Sequence, residues 1–478
     1  MRILRGVYEG PGSHGILRVA ASMRGVHAIL RAYPSEGGFT ALHGALTHSG
    51  EPAPVSLSPI WNGPGESQRP GELARDLSWI ARRRPEAQAL IFARSEAALL
   101  LGERAPILAF PENPQSGYSP KLVICEWESP NMRELEASDL ALMELVRAHA
   151  SNQPKSLAPT VNIFGPPIFG PNAAAEVAEI ERILGLVGVG VNARVPLGAS
   201  VDDLSRLTRA WANVVLYREV GESASLYLQD EFGMPRVTIP PVGSVGTGAV
   251  LRAVGELCSL DLKAVQRAVW AELAQTAKLP WYARLNRPET FRERRVSIFG
   301  DFTYPLGLGY ALAREVGLEV ASCGTYLGHF QRDFLFHAHT FTDEAFVEND
   351  PEEVASRIAA TEPSLIIGTH LEEGLADSLG IPFLPLCPPT AEYPFVGRPL
   401  MGYTGSSVLA DALDGALDQK GEGPEAVEGA GRAWTDEALD ELTQIPPFLR
   451  GRARRLAEER ASELGSETVT RQIFLESR

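Results

Sequence analysis

Val161-Asn162-Ile163-Phe164-Gly165 and Arg295-Val296-Ser297-Ile298-Phe299-Gly300-Asp301 decide the architecture, because the chain restarts the same pattern twice. Each run reads as a strand that stops at glycine and is followed by a helix. After the first, from Asn172, the residues Val177, Ile180, Ile183 and Leu184 fall three and four apart, the period of a helix packed on a sheet. Val189–Val195, Val214–Tyr217 and Arg236–Ile239 read as further strands. After the second run a helix covers Leu306–Val316. Glu319–Ser322, Ser364–Gly368 and Ile381–Leu384 then read as strands, with helices at Pro351–Ala360 and Glu372–Leu379. Upstream, a strand at Ile3–Tyr8, a helix over Ile16–Ala32 and strands at Ala89–Ala93 and Lys121–Cys125 make a first block. Strands alternating with helices over this length imply parallel, doubly wound sheets. The expectation is an α/β chain of three Rossmann-like domains, 1–155, 156–290 and 291–420. A Gly-, Glu- and Ala-rich linker at Gly421–Gly431 leads to a small C-terminal helical domain, 432–478.

At 478 residues, three domains of ~150 residues each is the ordinary expectation. A net charge of -16 argues against general nucleic-acid binding, since the phosphate backbone would be repelled. Met1 to Tyr8 carries no apolar run of the kind a signal peptide needs, and no stretch of 18 apolar residues could span a membrane. A cytoplasmic protein is expected. Cys125, Cys258, Cys323 and Cys387 lie more than 60 residues apart with no CxxC, so buried structural thiols are expected rather than a metal site built by this chain alone.

Several catalytic signatures are absent. There is no Walker A loop, no GxSxG and no HExxH. Gly188-Val189-Gly190-Val191-Asn192-Ala193 resembles a dinucleotide fingerprint, but it leaves a helix and enters a strand, the reverse of the required context. Gly307-Leu308-Gly309 reads as a tight turn. His337-Ala338-His339 could set two imidazoles on one strand face, although loop or surface histidines are the preferred reading.

The last 45 residues form a signature of their own. Trp434-Thr435-Asp436-Glu437-Ala438 opens a helix, Ile445-Pro446-Pro447-Phe448-Leu449-Arg450-Gly451 interrupts it, and a second helix carries Arg452, Arg454, Arg455 and Arg460. Gly465 stops that helix and Thr468–Phe474 ends the module. The arginine run is a solvated helix face or a docking surface for an acidic partner or a ligand that carries carboxylates. This order resembles the C-terminal domain of the B subunit of light-independent (dark-operative) protochlorophyllide reductase, a nitrogenase-like family.

Colinear matches extend the resemblance over nearly the whole chain. They are Tyr8-Glu9-Gly10-Pro11, Gly15 to Ala20, Val26 to Leu30, Pro196-Leu197-Gly198-Ala199-Ser200 with Asp202-Asp203-Leu204, and Tyr217-Arg218-Glu219 with Gly221 to Ala224. Phe299-Gly300-Asp301, Ile367-Gly368-Thr369 and Met401-Gly402-Tyr403 complete the series.

The resemblance implies three Rossmann-like domains arranged as in nitrogenase components. It implies a heterotetramer with a homologous N-type subunit, an ATP-hydrolysing iron protein that delivers electrons, and a tetrapyrrole substrate. It implies a [4Fe–4S] cluster held by three cysteines of the partner and one carboxylate here, with Glu36 at the position of the family's aspartate. Trp281, Tyr282, Thr390 and Met401 fall at substrate-lining positions. Arg287 stands where the family has an acidic proton donor; a guanidinium cannot give up a proton near neutral pH but can clamp a propionate. Ser95 and Thr390 replace a family cysteine and histidine. These departures leave two alternatives open: a paralogue reducing another tetrapyrrole or unsaturated substrate, and a non-catalytic scaffold for metal-cofactor assembly.

Overall fold

The computed structural model describes residues 7–34, 54–60, 72–102, 120–165 except 128, 172–276, 294–389, 397–418 and parts of 433–476. The chain divides into two compact units, Met1–Ala416 and Leu417–Arg478.

Among the described residues the first unit holds three all-parallel sheets. β1 (Val26–Ala32), β2 (Val55–Pro59), β3 (Ala89–Arg94) and β4 (Lys121–Ile124) lie in the order β2-β1-β3-β4. β5 (Thr160–Phe164), β6 (Gly190–Val195), β7 (Ala212–Val215) and β8 (Arg236–Val237) repeat that order as β6-β5-β7-β8. β9 (Arg295–Gly300), β10 (Glu319–Thr325), β11 (Ala345–Val347), β12 (Leu365–Ile367) and β13 (Phe383–Leu384) run β11-β10-β9-β12-β13. In each sheet the winding direction reverses once: between β1 and β3, β5 and β7, and β9 and β12. Crevices at such reversals, beyond the carboxyl ends of the strands, are where open α/β sheets bind ligands.

Helices cover the sheets, so the central strands are buried along nearly their whole length. β1, β7 and β12 are buried at every position, as parallel strands covered on both faces require. Helix α1 (Gly12–Ser22) packs on α2 (Glu134–His149), which also packs on α4 (Arg218–Phe232). One continuous core runs through Ile16, Leu142, Phe164, Val215 and Leu228, so the first two sheets share it. Burying each such side chain stabilises the fold by ~1.5–3 kcal/mol. Helix α3 (Ala173–Leu186) follows β5 and buries Val177, Ile180, Ile183 and Leu184 as its period predicts.

Several sequence expectations need correcting. The helix expected over Ile16–Ala32 ends at Ser22: Met23 is extended, Gly25 takes a left-handed φ of 74°, and Val26–Ala32 is strand β1. A run buried on every side suits the interior of a parallel sheet, where both neighbours supply backbone bonds. Gly307-Leu308-Gly309 is not a turn but lies inside α6 (Thr303–Ala311), which follows β9. A Cβ at Gly307 would stand 2.7 Å from Val242 and one at Gly309 2.3 Å from Phe341, so close packing demands both glycines. His337 lies in helix α7 (Gln331–Ala338) with His339 just past its end, so the two rings do not share a strand face. The strand expected at Ile3–Tyr8 falls mostly outside the described residues, and Tyr8 itself is a buried bend. By contrast, Gly188–Ala193 does run from a helix end into β6.

In the second unit Trp434 belongs to a strand, not to the start of a helix. β14 (Ala433–Trp434) pairs in parallel with β15 (Thr468–Val469), and the first described helical residue is Glu437. Gly465 takes a φ of 63°, the stop expected there. Helix α9 (Arg471–Glu476) closes the module over a core of Ala438, Ala457, Ala461, Val469 and Phe474, with Trp434 edge-on to Phe474. The linker at 421–431 and Arg452, Arg454 and Arg455 lie outside the described residues.

Candidate functional site

The three reversal points are where sheets of this kind take ligands. At the first, β1 ends at Ala32, and Glu36, shortly after it in the sequence, lies outside the described residues. Beside it, Ser95 follows β3: its backbone N–H bonds Arg31, and its hydroxyl caps the short helix Glu96–Leu100 by accepting from Ala98 at 3.1 Å. Ser95 is therefore a buried capping residue at the edge where the resemblance expects a site.

The second and third reversal points meet in a buried acidic network that the sequence reading missed. Glu176 on α3, Glu219 in the first turn of α4 and Asp301 after β9 are each at most 2% exposed. The Tyr304 hydroxyl donates to Glu176 Oε1 at 2.6 Å and the Leu400 N–H at 3.2 Å, and Tyr217 and Tyr304 hydroxyls meet at 2.8 Å. Thr303 donates to Glu219 Oε2 at 2.6 Å, and the Tyr304 N–H donates to Asp301 at 3.1 Å. Burial pushes the Glu176 carboxyl up to about 7, outweighing the donors that pull it down. Burial also raises Glu219, and burial together with the Glu219 charge holds Asp301 well above the usual carboxylate range. Two carboxyls this close and this deep cannot both ionise, so the pair keeps a proton. The sequence did carry a signal: an acid on the apolar face of α3, and acids directly after buried strands.

The opening Tyr8-Glu9-Gly10-Pro11 reaches the third sheet. Tyr8 stacks on Tyr326 with ring centroids 5.2 Å apart and donates to Glu372 Oε1 at 2.7 Å. Glu372 in turn accepts from the Thr369 N–H and hydroxyl, each at 2.7 Å. Burial raises the Glu9 carboxyl to about 7, although it accepts from the Leu135 N–H.

Next to the acidic network a cleft of about 290 Å³ opens beyond the carboxyl ends of β7, β8 and β9. Ile239, Pro240, Val242, Ala249, Phe302 and Leu306 give it apolar walls, while Arg218, Tyr310, Arg314, Glu315 and His337 supply polar groups. Arg218 is held by Glu222 at 2.8 Å and Asp333 at 2.5 Å, with its guanidinium over Phe302.

Among the expected site residues, Trp281, Tyr282, Arg287 and Thr390 lie outside the described residues, as Glu36 does. Met401 is fully buried, bridged to Val242 on the loop after β8, and does not line the cleft. All four cysteines are buried free thiols. Burial raises the thiol pKa of each. Among the described residues no group of three or more His, Cys, Asp or Glu is placed to hold a metal. Nor is any described helix long and apolar enough to cross a membrane.

Comparison with known proteins places this geometry. The family model described as nitrogenase component 1 type oxidoreductase matches residues 108–418. A solved structure titled Nitrogenase Cp1 at pH 6.5 overlays with a TM-score of 0.69 at 15% identity, covering 88% of this chain and 94% of that one. Fold and family model together define the class, a nitrogenase component 1 type oxidoreductase. The model described as proto-chlorophyllide reductase 57 kD subunit matches residues 434–478. The B subunit of light-independent protochlorophyllide reductase from Halorhodospira halophila is 32% identical over 525 aligned positions, covering 98% of each chain. Its counterpart from Heliobacterium modesticaldum is 31% identical over 517, covering 99% of this chain and 97% of the relative. The chain belongs to this family, the B subunits of light-independent protochlorophyllide reductase, an oxidoreductase family of chlorophyll biosynthesis.

Proposed function

We propose that the chain is the B-type subunit in the catalytic component of an ATP-dependent, iron–sulfur reductase that reduces a ring double bond of a tetrapyrrole, protochlorophyllide to chlorophyllide. The observation that carries this reading is end-to-end colinearity. Both family models fall on one chain, and relatives so named align over 97% and 98% of their own lengths. In this reading residues 1–155, 156–290 and 291–420 are three Rossmann-like domains and 432–478 is the C-terminal module. A homologous N-type subunit completes a heterotetramer, and ATP is bound by a separate iron protein.

A [4Fe–4S] cluster, when bound, supplies electrons one at a time. The donors of this chain suit a shared cluster rather than one held by this chain alone. Its cysteines are scattered and buried, and burial disfavours the thiolates that ligation requires. As the family resemblance implies, three thiolates come from the partner, and Glu36, shortly after strand β1 in the sequence, supplies an oxygen. Trp281, Tyr282 and Thr390 line the substrate. Arg287 clamps a propionate, and the proton comes from another group.

The test is anaerobic co-purification with the N-type partner, counting iron and recording the EPR spectrum of wild type and Glu36→Ala. A [4Fe–4S] signal that is altered or lost in the variant supports the reading and justifies assays with protochlorophyllide. An iron-free pair, or a cluster indifferent to Glu36, removes the electron-transfer role and favours a scaffold for cofactor assembly.

A further inference from the structure

The cleft between α5 (Gly243–Leu257) and α6 is a formed cavity with a division of labour among its polar groups. At about 290 Å³ it lies at the bottom of the ~300–1,000 Å³ range of small-molecule sites. Its position, outside the carboxyl ends of strands from two sheets, is the one where this class of fold takes ligands.

The charged lining groups are already engaged, with one exception. Arg218 is paired with two carboxylates. Glu315 accepts from the Ser244 and Val245 N–H groups at 2.8 and 2.9 Å, so it closes the amino end of α5. His337 meets the Tyr310 hydroxyl at 3.2 Å and faces Asp333 at 4.0 Å; burial lowers its pKa, which favours a neutral ring. Arg314 differs. Its guanidinium lies over the Tyr310 ring at 4.6 Å, and among the described residues it has no carboxylate partner. An exposed guanidinium at the mouth of an apolar cavity fits a singly charged planar anion. A phosphate fits less well: it draws on free helix N–H groups, and here Glu315 has taken them and adds a negative charge.

We infer that this cleft binds a small, flat, apolar molecule bearing one carboxylate, its ring between Val242, Ala249, Phe302 and Leu306 and its carboxylate on Arg314. The inference rests on the cavity and its lining, not on the reading of Glu36 or of the substrate.

Isothermal titration of the full chain with 2-naphthoate, and with the uncharged naphthalene-2-carboxamide, tests it. The expected result is saturable binding of 2-naphthoate at least about tenfold tighter than the amide, the lower end for a charge-assisted hydrogen bond. Arg314→Gln erases that preference while leaving the amide's affinity in place. Ala249→Phe fills the cavity and weakens both ligands; Val245→Trp, at an exposed rim position, does the same without burdening the core. Circular dichroism establishes that each variant is folded. A preference that survives Arg314→Gln, affinity indifferent to folded cavity-filling variants, or no saturable binding in the low-millimolar range overturns the inference.

Discussion

Replacing Glu176 by Gln should change little near pH 4.5 and stabilise the protein increasingly as the pH rises from there to about 7, with the lead held above that. Glu176 is fully buried on α3, its Oε1 accepts from Tyr304 and from the Leu400 N–H, and among the described residues its Oε2 has no hydrogen-bond partner. Burial lifts its pKa from 4.5 to about 7. The native state therefore holds this proton more tightly than the unfolded chain does, and stability falls as pH rises through that window. The favourable contribution is fully present below 4.5 and lost once pH passes about 7. At ~1.4 kcal/mol per pH unit the gap converts to about 3 kcal/mol. The amide of Gln mimics the protonated acid: its oxygen keeps both donors and its NH2 takes the place of the acid's O–H. Urea denaturation followed by circular dichroism from about pH 5 to about pH 8 measures the difference. Variant and wild type should agree within about 1 kcal/mol at the acid end, and the variant should lead by about 3 kcal/mol at the alkaline end. A pH-independent offset, or a wild type that gains on the variant as pH rises, refutes the buried, proton-holding state.

Three further outcomes follow from the packing. Tyr8→Phe removes the donor to buried Glu372 and should cost ~1–3 kcal/mol in urea denaturation, the range for an orphaned buried acceptor. Gly309→Val drives a side chain into Phe341 and should destabilise by ~1–3 kcal/mol, with Phe341→Ala recovering part of the loss in the double variant. Iodoacetamide should leave all four cysteines unmodified in the folded protein and label them in urea, read by intact mass, because burial both hides the thiols and suppresses their thiolates. A cysteine labelled under native conditions would contradict its buried placement.

Legibility in the sequence followed the physics of each signal. Long periodic segments were plain: Val177, Ile180, Ile183 and Leu184 announced a helix, and both strand–Phe-Gly runs proved to be central strands at winding reversals. Val26–Ala32 was not legible, because a short apolar run has no period that separates a buried helix from a buried strand. Gly307 and Gly309 were misread because a glycine forced by a neighbour's side chain looks, in sequence, like one forced by a turn. Glu176, Glu219 and Asp301 were hidden for a different reason. Their places on an apolar helix face or beyond a buried strand are a weak mark among 60 acidic residues, because their partners come from other blocks of the chain. The site residues named from resemblance, Glu36 foremost, rest on that resemblance.

The same distant partnering explains why helix starts were poorly marked. Pro11, Arg133 and Val242 precede α1, α2 and α5, and none makes a side-chain cap. Acids from far along the chain do that work instead. Glu96 accepts from Ser13 of α1 at 3.0 Å, Glu9 from Leu135 of α2 at 3.1 Å, and Glu315 from Ser244 and Val245 of α5. Glu179 likewise accepts from Thr404 of α8 (Gly402–Asp418) at 3.0 Å. A local cap stabilises a helix by ~1 kcal/mol whether or not the rest of the protein has formed. A cap delivered from another element acts only when the two are docked, so its energy joins the elements as well as ending the helix. Several motifs that carry the family resemblance sit at such joints: Tyr8-Glu9 ties the start of the chain to α2 and to Glu372, and Gly402 to Thr404 meets Glu179 on α3. Tyr217 to Glu219 meets Thr303 and Tyr304 through its hydroxyl, backbone N–H and carboxylate. Colinear short motifs in a chain that is 32% identical to a relative are then what docking geometry demands, since each joint constrains two places in the sequence at once.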